Sequence, residues 1–328
     1  LILVPTTSLV EQMYKDFEDY GWNSETYCQK IYQGHDKKVT KDVVISTWQS
    51  VHRMPRQYFR QFGVVFGDEA HLFKAKSLTG ILTKLDTCRY RFGLTGTLDG
   101  TQTHRLVLEG LFGKAKYVVT TKELMDNKTL ASLEIRCIVL DYKEEDKQIV
   151  QGFGYQEELE YIVTKGERNT FLCKLMGHCN GNTLVLFQFV EKHGKPLYDI
   201  IEDKYKDRKV FFVYGGVTTD TREEIREIVE NEKDAIIVAS YGTFSTGINI
   251  RNIHNIVFAS PSKSKIRVLQ SLGRGLRQIG GTKHLRLYDI ADDLSILKPN
   301  FTLRHFHDRL NIYKEQKFNY KVDKVKLL

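Results

Sequence analysis

Short runs of β-branched and aromatic residues alternate with segments of helical period along most of this chain, and they do so twice. That rhythm belongs to parallel sheets covered by helices on both faces. A strand buried on both sides reads as a continuous apolar run, and each parallel pair needs a crossover, usually a helix. In the first half, strands are expected at Leu1 to Val4, Val43 to Ser46, Val64 to Phe66 and Tyr90 to Leu94. Between the first two, Leu9, Met13 and Phe17 fall at i, i+4 and i+8, one apolar face of a helix. The second half offers Leu184 to Phe189, Val210 to Tyr214, Ala235 to Ser240, Ile256 to Ala259 and Leu285 to Ile290. Helices are expected there at Thr218 to Asn231 and Lys265 to Ile279. The expected fold is therefore α/β, with two doubly wound parallel-sheet lobes.

The lobes are placed at 1–121 and 167–300, joined by a connector at 122–166 and followed by a tail at 301–328. The connector is acidic and contains glutamine, with one plausible strand, Glu134 to Asp141. From Lys314 onward the tail carries five lysines with Phe318 and Tyr320 among them, the composition of a solvated terminal segment that can also touch nucleic acid.

Length agrees with two domains, since 328 residues at about 150 per domain allow each to bury a core. Lysine and arginine number 49 against 41 acids, a net charge of +8 that favours polyanionic partners. No apolar run approaches the ~20 residues of a membrane-spanning helix, so a soluble protein without a membrane partner is expected. Cys28, Cys88, Cys137, Cys173 and Cys179 form an odd set without a C-x-x-C pair, which suits reduced, buried thiols in a cytoplasm. Cys173, His178 and Cys179 lack a second pair at zinc-site spacing.

Chemistry concentrates where the expected strands end. Phe62 to Phe66 runs into Gly67-Asp68-Glu69-Ala70-His71, which puts adjacent carboxylates at the carboxyl end of a parallel strand, the edge where open α/β sheets bind ligands. Asp68 can hold Mg²⁺ and Glu69 can position and deprotonate an attacking water. A charged strand-to-helix turn has the same composition. Arg91 to Leu94 ends likewise in Thr95-Gly96-Thr97, a hydroxyl-bearing turn able to bond His71. In the second half Gln270, Gly273, Arg274 and Arg277 fall at i, i+3, i+4 and i+7. That spacing puts two guanidiniums on one helix face, suited to the charge on a transferring phosphoryl group or to a solvated basic surface. Ala239 to Asn249, rich in hydroxyls and glycines, reads as a loop whose amides can meet phosphates.

Taken in order, these segments resemble the superfamily 2 helicases and translocases. Val4-Pro5-Thr6-Thr7-Ser8-Leu9 with Gln12 is similar to motif Ia, Thr47-Trp48-Gln49-Ser50 to motif Ib, Asp68-Glu69-Ala70-His71 to a DEAH-box motif II and Thr95-Gly96-Thr97 to motif III. Leu184 to Phe189 resembles motif IV, Ser245 to Asn249 motif V, and Gln270-x-x-Gly273-Arg274-x-x-Arg277 motif VI. Within the superfamily, Ala239 to Gly247, Lys263 to Ile266 and Lys317 to Tyr320 look like the phage recombination helicases. The resemblance implies two RecA-like lobes and ATP hydrolysis with Mg²⁺, coupled to movement on DNA. Asp68, Glu69, Arg274 and Arg277 would be catalytic. His71, Thr95, Thr97, Gly247 and Gln270 would couple the ATP site to movement, and Pro5, Thr6, Thr7, Thr47, Gln49 and Thr246 would contact the nucleic-acid backbone. Branched or single-stranded DNA is the implied partner, with RNA–DNA hybrids as a further one, for a monomer in the host cytoplasm.

Two departures stand out. Asn249 occupies a place that is acidic in many relatives, so no catalytic role passes to it. The phosphate loop G-x-x-x-x-G-K-[ST] occurs nowhere. In the family it lies just upstream of motif Ia, so the expectation is a first lobe incomplete at its N-terminus, with little or no ATPase activity and a tendency to aggregate. A translocase subunit of a restriction system has a similar motor, although no Asp/Glu-x-Lys nuclease cluster is evident. A helicase-like module that only binds or anneals nucleic acid is the non-enzymatic alternative.

Overall fold

The computed structural model describes residues 1–73, 76–96, 102–116, 118–247, 250, 252–261 and 284–327, with backbone alone at 102–104, 219 and 245–247. They form two compact units, Leu1–Val118 and Val119–Leu328.

The first unit holds a five-stranded sheet of β1 (Ile2–Val4), β2 (Cys28–Ile31), β3 (Val43–Thr47), β4 (Val64–Gly67) and β5 (Tyr90–Gly93) in the order β2-β3-β1-β4-β5, every pair parallel. The central strand β1 is buried throughout, as its unbroken apolar run requires. The helix Thr7–Asp19 forms where Leu9, Met13 and Phe17 predict it, and those residues pack with Ile2, Val4, Val10, Cys28 and Ile45. The opposite face packs Leu3, Val44 and Val65 under Phe59, Ile81 and Leu82. Register places Phe66 beside Ile2, and therefore on the Thr7–Asp19 side of the sheet. There, on the half formed by β4 and β5, Val64, Phe66, Tyr90 and Phe92 remain between 36% and 48% exposed, so this face is covered on one side only. Phe66 and Phe92 stack there at 4.9 Å.

The second unit holds seven parallel strands, β6 (Ser132–Asp141), β7 (Thr183–Phe187), β8 (Val210–Val213), β9 (Ile236–Ser240), β10 (Asn255–Phe258), β11 (His284–Asp293) and β12 (Tyr320–Lys326), ordered β12-β6-β11-β10-β7-β9-β8. Alternate residues of the central strands enter two cores. Leu184, Leu186, Ile256 and Phe258 lie in one, and Val185, Phe187, Val257 and Ala259 in the other. Both units thus have the α/β architecture of RecA-like lobes.

The segment set apart as a connector supplies β6, which pairs with β11 over ten residues and belongs to the sheet. The lysine-rich tail is likewise not a solvated end: β12 pairs with β6 from Tyr320 to Lys326, and Phe318 and Leu327 are buried in the two cores. All five cysteines are buried free thiols. Among the described residues no helix is long and apolar enough to cross a membrane.

Candidate functional site

In the first sheet β1, β3, β4 and β5 point their carboxyl ends the same way, and those ends with the turns that follow them carry every described first-unit site residue named from sequence. After β1, Thr6 caps the helix Thr7–Asp19, its hydroxyl accepting from Leu9 N at 3.3 Å. A helix start of this kind presents backbone N–H groups with no partner inside the helix, a suitable seat for a phosphate. Pro5 and Thr6 are half-buried and Thr7 is exposed.

After β3, Thr47 is buried, its hydroxyl 2.8 Å from that of Ser50, so it orders its own turn. Exposed Gln49 donates from Nε2 to Pro5 O at 3.1 Å, tying the turn after β3 to the turn after β1. Sequence reasoning did not anticipate this brace or the Ser50 contact, because the first joins positions 44 residues apart.

The turn after β4 is built tightly. Asp68 N donates to Leu3 O at 2.9 Å and Ala70 N to Leu94 O at 2.8 Å, which fixes the two acids between neighbouring strands. Glu69 adopts φ 49°, ψ 51°, the left-handed region that side chains disfavour, and the chain then enters a short 3₁₀ turn, Ala70–Leu72. His71 is buried, with Nδ1 3.0 Å from Thr95 Oγ1 and 3.2 Å from Glu69 Oε2. Acid, imidazole and hydroxyl, from the turns after β4 and β5, therefore form one chain of contacts. Gly67 and Gly93, at the ends of these two strands, make room for aromatic rings: a Cβ on Gly67 would lie 2.6 Å from the Phe73 ring, and one on Gly93 2.8 Å from that of Phe112.

Among the described residues no three His, Cys, Asp or Glu side chains gather to hold a metal. A half-buried carboxylate such as Asp68 still suits Mg²⁺, which commonly takes one or two carboxylates and completes its shell with substrate phosphates and water.

In the second unit the stretch read as a loop at Ala239 to Asn249 is helical from Tyr241 to Gly247. Ser240 accepts from Thr243 N at 3.2 Å, as a helix cap does, and Tyr241 and Phe244 bury in the core, which outweighs the loop-like composition. Thr246 and Gly247 belong to this helix, but their side-chain surroundings are not among the described features. After β7, Gln188 N donates to Ser260 Oγ at 3.1 Å. Thr97, Gln270, Arg274 and Arg277 lie outside the described residues.

Comparison with known proteins adds to this geometry. Residues 1–100 match the family described as the res subunit of type III restriction enzymes, and residues 167–278 match the helicase conserved C-terminal domain. The ATP-dependent DNA helicase UvsW of Enterobacteria phage T4 is 39% identical over 346 residues, which span 100% of this chain and 68% of that protein. The crystal structure of T4 UvsW superposes with a TM-score of 0.54 at 37% identity, covering 100% of this chain and 67% of that one. The type ISP restriction-modification enzyme LlaBIII bound to DNA matches with a TM-score of 0.68 over 99% of this chain and 28% of its own, but at 14% identity this likeness concerns the fold alone.

Proposed function

The chain belongs to the superfamily 2 helicases, in the group that includes phage T4 UvsW, and from that premise we propose that it serves ATP-driven movement on DNA, with branched recombination or stalled-fork intermediates as substrates. The contact chain from Glu69 through His71 to Thr95 carries this proposal, because it links the acid suited to hydrolysis to the next strand's turn. In the proposed reaction Glu69 orients the attacking water and takes its proton as the water oxygen bonds to the γ-phosphorus and the bond to the leaving ADP breaks, while Asp68 would hold Mg²⁺, which would supply shielding of charge on the phosphates. His71 keeps the Glu69 carboxylate in place, and displacement of that carboxylate is felt at Thr95.

Thr6 and Thr7 contact the sugar-phosphate backbone, and Thr47 and Gln49 hold the adjoining turn. Such contacts recognise strand geometry rather than sequence. Arg274 and Arg277 are assigned to the triphosphate, and Thr97, Gly247, Gln270 and Thr246 to coupling and strand contact, on their motif positions alone. The expected state is a monomer.

In the complete gene product, Glu69→Gln is expected to lower ATP turnover at least 100-fold while DNA affinity changes less than 3-fold. Turnover at the wild-type rate would remove Glu69 from the reaction. Strand displacement on forked DNA, four-way junctions and RNA–DNA hybrids identifies the substrate. The match of residues 1–100 to a restriction-enzyme subunit supports a second reading, a translocase working beside a nuclease. DNA cleavage that depends on ATP would favour that reading.

A further inference from the structure

Gln49 lies in a short helix, Trp48–Val51, after which the chain turns through His52, Arg53 and Met54. This turn is held from both sides. Lys84, on the helix Lys76–Lys84, donates from Nζ to His52 O at 2.8 Å and to Met54 O at 2.9 Å, and its ammonium lies 5.8 Å from the ring centre of buried Phe59. The His52 ring is fixed too, its Nδ1 2.8 Å from Gln49 O.

Arg53, between the two pinned carbonyls, is exposed, and among the described residues it has no hydrogen bond or ion pair. Its basic neighbours differ, since Arg56 and Arg60 both pair with Asp86, at 2.9 and 3.5 Å. That carboxylate is thereby engaged away from Arg53. A guanidinium on a braced backbone gives up little freedom when it meets an anion, and its planar fork suits phosphate oxygens. It also lies on the turn that Gln49 ties to Pro5, beside the proposed strand contacts.

We propose that Arg53 is a further phosphodiester-binding residue of this edge and that Lys84 is its positioning residue. This rests on the reading of the edge as a nucleic-acid surface. The test uses the 328-residue chain and a fluorescently labelled oligothymidine, with affinity measured by anisotropy across a series of salt concentrations.

Arg53→Gln is expected to weaken binding at least 3-fold near 0.1 M salt and to reduce the slope of log K against log salt by about 0.7, the loss of one single-strand phosphate contact. Arg53→Lys should restore the slope. Lys84→Met, with its helix content checked by circular dichroism, should weaken binding when Arg53 is present and have no further effect on Arg53→Gln. An unchanged slope in Arg53→Gln, with the wild type binding normally, overturns the assignment of Arg53. Equal weakening by Lys84→Met in both backgrounds overturns the positioning role. No binding by the wild type at any salt overturns the underlying reading, and the proposal with it.

Discussion

Single residues in this molecule hold conformations and charge states that they would not adopt in isolation. Glu69 pays for its left-handed backbone, about 1 kcal/mol, through the contacts that fix both neighbours. His193 is a second case. It is fully buried, with Nδ1 2.8 Å from Ser260 Oγ, which also accepts from Gln188 N at 3.1 Å. Burial, reinforced by the positive charge of Arg168, pushes its pKa down to about 3. The unfolded chain, near 6.5, therefore takes up a proton that the folded one refuses. This contribution to stability is complete above pH 6.5 and is lost as pH falls towards 3, at about 1.4 kcal/mol per pH unit. Urea unfolding of the second unit between pH 6.5 and 5, where carboxylates still ionise, should show this slope in the wild type and a flatter one in His193→Gln. An identical slope in both would assign the proton uptake elsewhere.

At the scale of elements, one carboxylate ties two helices together. Glu158, on the helix Tyr155–Thr164, is buried and accepts from Phe301 N at 2.9 Å, Thr302 N at 2.7 Å, Thr302 Oγ1 at 2.8 Å and Asn300 Nδ2 at 2.8 Å. It caps the helix Phe301–Glu315 from more than a hundred residues away, where backbone N–H groups favour negative charge. Glu158→Ala leaves those donors unmet and should destabilise the second unit by about 3 kcal/mol, read from chemical denaturation. A change below about 0.5 kcal/mol would mean that water replaces the carboxylate without loss. Sequence reasoning placed Glu158 in an acidic connector because its partners are distant in the chain. The same limit explains the strands that went unread. Unbroken apolar runs announced the interior strands, whereas β2 (Cys-Gln-Lys-Ile) and β12, with lysine or aspartate at 321, 323, 324 and 326, are sheet edges. Charged side chains there blunt unwanted pairing and hide the strand from any hydrophobic pattern. Adjacent acids and hydroxyls at strand ends are, by contrast, a local signal that a sequence displays directly. The brace from Gln49 to Pro5 and the pinning by Lys84 are not local, and neither left a trace in spacing.

For the molecule as a whole, the two units differ in how their sheets are completed. The first draws all five strands from about ninety consecutive residues. The second closes with β12 at the extreme end of the chain, where Phe318 and Leu327 each bury an apolar side chain. At roughly 2 kcal/mol for each, a stop after Lys317 should cost the second unit about 4 kcal/mol. Differential scanning calorimetry should then show its transition lowered while that of the first unit stays in place. Coincident loss of both transitions would show that the units do not melt independently.

The position of β6 also affects biosynthesis. It leaves the ribosome before every other strand of its sheet, yet its flanking partners are β11, with Ser132 bonded to His284 across 152 residues, and β12, the last strand made. A nascent chain must therefore carry β6 without these partners until more than 150 further residues have been made, by when the first unit has long been able to fold.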